Sequence, residues 1–176
     1  MTVEHTTAAS SNVDEENPAE RVGVSARCLI RDHRGRVLTV RLAPERRPPG
    51  KPYLYLPGGR VHKGELPPDA AEREVREELG LSDLHAGPLL LLAWSIPRYP
   101  QLRPRLHMLF DFGRHDRATL SARIVLQAGE IGGYAWLDAR GLQRRLHPAQ
   151  VEQLNAITQR RTYLEQEPVP RAEDAQ

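Results

Sequence analysis

Between residues 57 and 80 the chain has little conformational freedom. Pro57-Gly58-Gly59 ends a short apolar run in a sharp turn, and Gly64-Glu65 leads on to Pro67 and Pro68. Prolines suit the first turn of a helix, where the missing N–H is no loss. Residues 69–79 then read as a helix, and Gly80 follows where a left-handed residue closes one. The unit is strand, loop, helix. Ala71, Val75 and Leu79 recur at helical spacing and form an apolar stripe. Glu74, Glu77 and Glu78 form a second stripe beside it, with Arg73 alongside. Like charges at i,i+3 and i,i+4 cost about 0.2–0.5 kcal/mol per exposed pair. Partly buried, at about 5 Å and an effective dielectric of about 20, the repulsion is nearer ~3 kcal/mol. A face that gathers carboxylates beside a core therefore calls for a cation. Hard carboxylate oxygens select a divalent ion such as Mg2+ or Mn2+.

The rest of the chain frames this unit. Residues 22–30 alternate, with Val22, Val24, Ala26, Cys28 and Ile30 on one side. Asp32-His33-Arg34-Gly35 makes a turn, and 37–42 a second strand, so the two form a hairpin. Residues 44–52 are a proline-rich loop and 53–56 a short strand. Strands are expected at 89–96, 106–112 and 131–137. A second helix is expected at 148–165, with Val151, Leu154, Ile157 and Leu164 near one side. Strands before and after a helix, with a helix at the end, give an α/β or α+β sandwich. Residues 1–20 and 166–176 are polar and aperiodic. They are expected as disordered tails around one folded domain, 21–165.

Composition removes several classes of function. The formal net charge of the 176 residues is only +2, which gives no general pull toward nucleic acid. No run of about 18 apolar residues exists to span a membrane. The first residues lack the basic and apolar stretches of a secretory signal. The single cysteine, Cys28, excludes an intramolecular disulfide and a cysteine-based zinc site, and reads as a small core residue. A cytoplasmic protein is the simplest expectation. Gly59 and Gly64 have the spacing of a P-loop, but Glu65 follows where that motif needs lysine and would repel phosphate. Zinc-protease and serine-hydrolase motifs are lacking as well.

The run Gly59, five residues, Glu65, seven residues, Arg73-Glu74-Val75, one residue, Glu77-Glu78, one residue, Gly80-Leu81 resembles the Nudix box at every fixed position. The flanks are similar to the family too. A hairpin precedes the box, Leu56-Pro57-Gly58-Gly59 enters it, and a late strand ends in Trp136-Leu137. The resemblance covers roughly 22–146. It implies an α/β/α sandwich with a mixed β-sheet between helices. It also implies Mg2+- or Mn2+-dependent hydrolysis of the diphosphate bond in a nucleoside diphosphate linked to another group. Carried over, Glu74, Glu77 and Glu78 match the metal-binding glutamates. One of them, or a glutamate outside the box, serves as general base. Arg73 matches the arginine that orients a box glutamate, and Glu65 the glutamate that anchors the loop. Gly59 and Gly80, with Gly58 entering the box, match structural glycines. Glu130, six residues before Trp136, stands where several members place a further metal-binding or basic glutamate.

Residues outside the box choose the substrate. Tyr53 and Tyr55 are candidates to stack on a base, and Arg98, Arg103 and Arg105 to grip a distal phosphate or sugar. Pro97 has a spacing similar to that of ADP-ribose-cleaving members, and Tyr99 one similar to that of dinucleoside-polyphosphate-cleaving members. A small nucleotide is thus the expected partner, with neither nucleic acid nor membrane, and a homodimer stays open. Two other classes remain. One is a catalytically silent nucleotide-binding module, which would normally have a damaged box. The other is a hydrolase of RNA 5′ ends, which would need a broad basic groove, whereas the arginines here are spread out.

Overall fold

The computed structural model describes residues 22–48, 50, 52–97 and 102–167. Strand β1, Gly23–Asp32, organises the sheet. Asp32 ends it by accepting from the backbone N–H of Arg34 and Arg36, both at 2.8 Å, while Gly35 takes φ +78°. The chain then reverses into β2, Val37–Leu42, antiparallel to β1. The same edge of β1 receives β3, Gly58–Arg60, opposite residues 25–27. The other edge receives β5, Arg105–His115, in parallel. Outward from these lie β4, Leu89–Ser95, antiparallel to β5, and β7, Tyr163–Gln166, parallel to β4. On the far side, β6, Ile131–Leu137, pairs antiparallel with β2. The result is a mixed seven-stranded sheet of order β6-β2-β1-β5-β4-β7, with β3 added on β1.

Alternation along the strands divides two cores. Ala26, Cys28 and Ile30 pack with Ala70, Ala71, Val75 and Leu79 of α1, Pro67–Leu79. Leu120 of α2, Arg117–Ser121, joins them. Leu29, Leu91, Ala93 and Leu109 face the opposite layer. There they meet Leu142 of α3, Ala139–Arg145, and Ala156 of α4, Pro148–Thr158. Helices on both faces of a mixed sheet make the α/β/α sandwich that the sequence implies. Cys28 is fully buried, with Sγ 3.4 Å from the carbonyl of Ala71. No helix among the described residues is long and apolar enough to cross a membrane.

Several boundaries differ from expectation. Residues 53–56 form no strand, because their partners belong to different elements. Tyr55 exchanges 2.8 Å hydrogen bonds with Val40, whereas Leu54 donates to Arg145 O and accepts from His147 N. No ladder can grow from such pairs, and the strand begins only after Pro57. The helix expected at 148–165 stops at Thr158. Arg160 adopts φ +59°, and the chain turns into β7, placing Leu164 on a strand. The buried residues of α4 are Gln150, Gln153 and Ala156, while Leu154 and Ile157 of the expected apolar stripe pack half-buried against the same core. Gln166, placed in the C-terminal tail by its polarity, is a buried β7 residue. The remainder of both expected tails, except Glu167, lies outside the described residues. Helix α1 begins two residues early, on its prolines. Two short helices were not expected, α2 and α3, each capped by an aspartate, Asp116 and Asp138.

Candidate active site

The loop that leads into α1 passes very close to β1. Gly58 has φ +127°, and a Cβ there would lie 2.2 Å from the carbonyl oxygen of Ala26. Only glycine passes. This close approach aims the Gly58 N–H at Glu78, whose Oε2 accepts it at 3.0 Å. Gly59 makes room in a different way, since a Cβ there would sit 2.2 Å from Oε1 of Glu74. Gly80 closes α1 in the left-handed conformation, φ +71°.

Glu78 is 6% exposed, and burial pushes its pKa up to about 8. The Gly58 N–H and the charge of Arg27 oppose that rise, while Glu74 and Glu130 add to it. Glu130 lies just before β6 and carries its charge within electrostatic reach of Glu78.

Arg73 is the hub of the other carboxylates. Nε donates to Glu65 Oε1 at 2.8 Å and Nη2 to Glu65 Oε2 at 3.2 Å, a two-pronged grip. Nη1 reaches Glu74 Oε1 at 2.8 Å and Glu77 Oε2 at 3.0 Å, and Nη2 also reaches the carbonyl of Arg60 at 2.9 Å. These bonds, with the backbone N–H of His62, hold the Glu65 carboxyl at a pKa of about 2. Among the described residues, no three His, Cys, Asp or Glu side chains converge on a point that could hold an ion. Glu74 and Glu77 are drawn onto Arg73, while Glu78 is turned to Gly58. The donor set is nevertheless all carboxylate, and its buried member already carries the raised proton affinity that a cation would offset. In chemistry it fits a hard divalent ion.

Beside the box opens a cavity of about 980 Å3. Tyr55, Arg103 and Arg105 line it as the sequence suggests, as does Pro97. Tyr53 does not; it meets His147 edge-on at 5.4 Å, while Tyr55 stacks on the same ring at 5.5 Å and 24°. Arg98 and Tyr99 lie outside the described residues. Sequence reasoning missed Arg27, His107, His147, Gln150 and Gln153, all on the wall. Ser25 Oγ lies 2.7 Å from His107 Nδ1. Burial lowers the pKa of His107 to about 4, helped by Arg27 and Arg105, and burial also lowers that of His147. Both rings are thus neutral at pH 7. Arg27 donates through Nη1 to the carbonyls of Gly58 and Leu56. Gly58 therefore touches both halves of the site, its N–H on Glu78 and its carbonyl on Arg27. The signal for Arg27 was positional. It alternates with Ala26 and Cys28 on a strand paired at both edges, so its face also had to be covered.

Comparison with known proteins agrees with this fold. A NUDIX domain family model matches residues 21–157. Among solved structures, the chain is similar to a MutT protein from Methanosarcina mazei Go1, with a TM-score of 0.64 and 23% identity over 78% of this chain and 94% of that one. It is similar to a MutT NUDIX hydrolase from Burkholderia pseudomallei, with a TM-score of 0.60 and 21% identity over 77% and 98%. An Ap4A hydrolase from C. elegans gives a TM-score of 0.53 and 16% identity over 77% and 96%. Identities this low speak for the fold alone. A search of curated proteins finds no match. The family match spans most of the chain and contains the whole strand–loop–helix unit, so the protein belongs to the Nudix family, whose hydrolases act on phosphorus-containing anhydrides and use divalent metals.

Proposed function

We propose that this protein hydrolyses the diphosphate bond of a nucleoside diphosphate linked to another group, with Mg2+ or Mn2+ held by Glu74, Glu77, Glu78 and Glu130. The observation that carries this reading is the position of Glu78. It is a buried carboxylate bonded to the Gly58 N–H, and the carbonyl of the same Gly58 holds Arg27 of an arginine-lined cavity. A divalent ion held at these carboxylates would supply charge neutralisation for the diphosphate and would ease deprotonation of the attacking water. The chain's own residues do the rest. Arg73 positions Glu74 and Glu77 through Nη1, and Glu65 with the Arg60 carbonyl positions Arg73. Glu130 or a box glutamate takes the proton of the attacking water. The cavity binds the nucleotide, with Tyr55 and His147 as its aromatic wall.

Pro97 on the cavity wall supports an ADP-ribose-like sugar nucleotide as the substrate. A dinucleoside polyphosphate is the second reading, because about 980 Å3 lies at the upper end of small-molecule sites, near 1,000 Å3. The test is a panel of sugar nucleotides, dinucleoside polyphosphates, nucleoside triphosphates and 5′-triphosphorylated RNA, each with Mg2+ and with EDTA. Phosphorus NMR should find a nucleoside monophosphate and a phosphorylated second group, formed only with metal. Inorganic phosphate as the primary product would overturn the reading.

A further inference from the structure

We infer that Arg27 is a phosphate-binding residue of the cavity, gripping a phosphoryl group of the substrate through the Nε–Nη2 edge of its guanidinium. The inference rests on the cavity being the substrate site and adds to that reading the group that holds the anion.

A guanidinium has five N–H donors in a rigid fork and no acceptor. In Arg27 both hydrogen bonds leave from Nη1, toward the carbonyls of Gly58 and Leu56. Nε is buried and has no partner among the described residues. A buried donor left unpaired is destabilising unless something else completes it. Arg73 shows in the same molecule what this edge does, because its Nε and Nη2 hold the two oxygens of Glu65. On Arg27 the corresponding edge belongs to a residue of the cavity wall. Its Nη1 bonds fix the plane of the fork in advance, which suits two-pronged capture of a phosphate.

The surroundings select a polyanion. Arg60, Arg103 and Arg105 line the same cavity, and His107 adds no charge at neutral pH. Across Gly58 stands Glu78, so a phosphoryl group on Arg27 lies at the border between cavity and carboxylates. A ligand with a single negative charge would leave most of these cations uncompensated, whereas a diphosphate answers several at once.

The experiment follows the Nε–H resonance of Arg27 by 15N NMR in the full chain, assigned by its loss in Arg27→Lys. Inorganic pyrophosphate is titrated in the presence of EDTA, so that neither metal nor turnover enters. Pyrophosphate should shift this resonance along a saturable curve. Arg27→Lys keeps the charge but loses the fork, and should weaken pyrophosphate binding by about 10–100-fold, the range for hydrogen bonds to charged groups. On an active substrate it should raise KM by a similar factor and change kcat less than about threefold. An Nε–H signal that stays put while pyrophosphate binds would overturn the inference, as would absence of pyrophosphate binding by the wild type. Arg27→Lys binding pyrophosphate as the wild type does would overturn it too. A shifted Nε–H signal with no hydrolysis of any panel member would keep the inference and sink the proposed reaction instead.

Discussion

Removing the charge of Glu78 should stabilise the metal-free protein, and only at high pH. Its carboxylate is 6% exposed, with one oxygen on the Gly58 N–H. Burial has moved its pKa from the ordinary 4.5 to about 8. A carboxyl raised in the fold binds its proton more tightly there than in the unfolded chain. Its contribution to stability is therefore fully present below about 4.5 and is lost as pH rises through about 8. At about 1.4 kcal/mol per tenfold change in proton affinity, the ionised fold is disfavoured by at most roughly 5 kcal/mol. Water penetration and relaxation reduce that ceiling, so about 2–5 kcal/mol is the expected range. Glu78→Gln keeps an acceptor for Gly58 and cannot ionise. In urea unfolding with EDTA, variant and wild type should agree within about 1 kcal/mol at pH 5. At pH 9 the variant should be the more stable by about 2–5 kcal/mol. With Mg2+, its turnover should be lower by at least about 10³-fold, since the proposed reaction would lose one of its metal-holding carboxylates. Parallel pH profiles for the two proteins would show that Glu78 is not the titrating group and would refute the reasoning.

The two loop glycines should fail differently. Gly58→Ala drives a Cβ into the Ala26 backbone at 2.2 Å with φ +127°, and thermal melts should show a loss of about 3 kcal/mol or more. Gly59→Ala meets first the end of the Glu74 side chain rather than backbone, so stability should fall by less than about 1.5 kcal/mol while turnover falls about 10²-fold. Arg73→Ala leaves Glu65, Glu74 and Glu77 without their common partner, and should lower stability by about 2–3 kcal/mol and turnover with it. Because Arg73, with the His62 N–H, holds the Glu65 pKa at about 2, the wild type should lose this contribution as pH falls from about 4.5 toward 2, an acid limb that the variant, left with the His62 bond alone, should show only in reduced form. Glu130→Gln should melt like the wild type and lose about 10²–10⁴-fold in turnover; a change below about threefold would return Glu130 to an ordinary surface role.

Much of the centre of the molecule could be read from local chemistry. The β1–β2 turn, α1 with its Gly80 cap and β6 carry strong local signals, namely alternation, prolines, glycines and capping residues. What escaped was written in non-local terms. Helix α4 buries Gln150 and Gln153 because other parts of the fold supply their partners. Leu56 N donates to Gln150 Oε1, and Gln153 Nε2 donates to Gln166 Oε1. Polar residues partnered that way look solvent-facing in a one-dimensional pattern. The turn at Arg160 uses a positive φ without glycine or asparagine to announce it, so 148–165 read as one helix. The site divides in the same way. Box residues sit within one helix and one loop, where spacing fixes their face. The cavity residues come from β1, β5, α4 and the segments before α4, and only the sheet brings them together.

The alternation along β1 has a bearing on how such a protein can diversify. Neighbouring codons serve different masters. Cys28 is constrained by the space beneath α1, and Arg27, next to it, by what enters the cavity. Changes at Gly23, Ser25 and Arg27 of one strand can therefore reshape the cavity without disturbing the packing of the helix that carries the box. Gly58 is the point where such change is checked. One residue bonded to both Arg27 and Glu78 ties the shape of the cavity wall to the placement of the buried carboxylate.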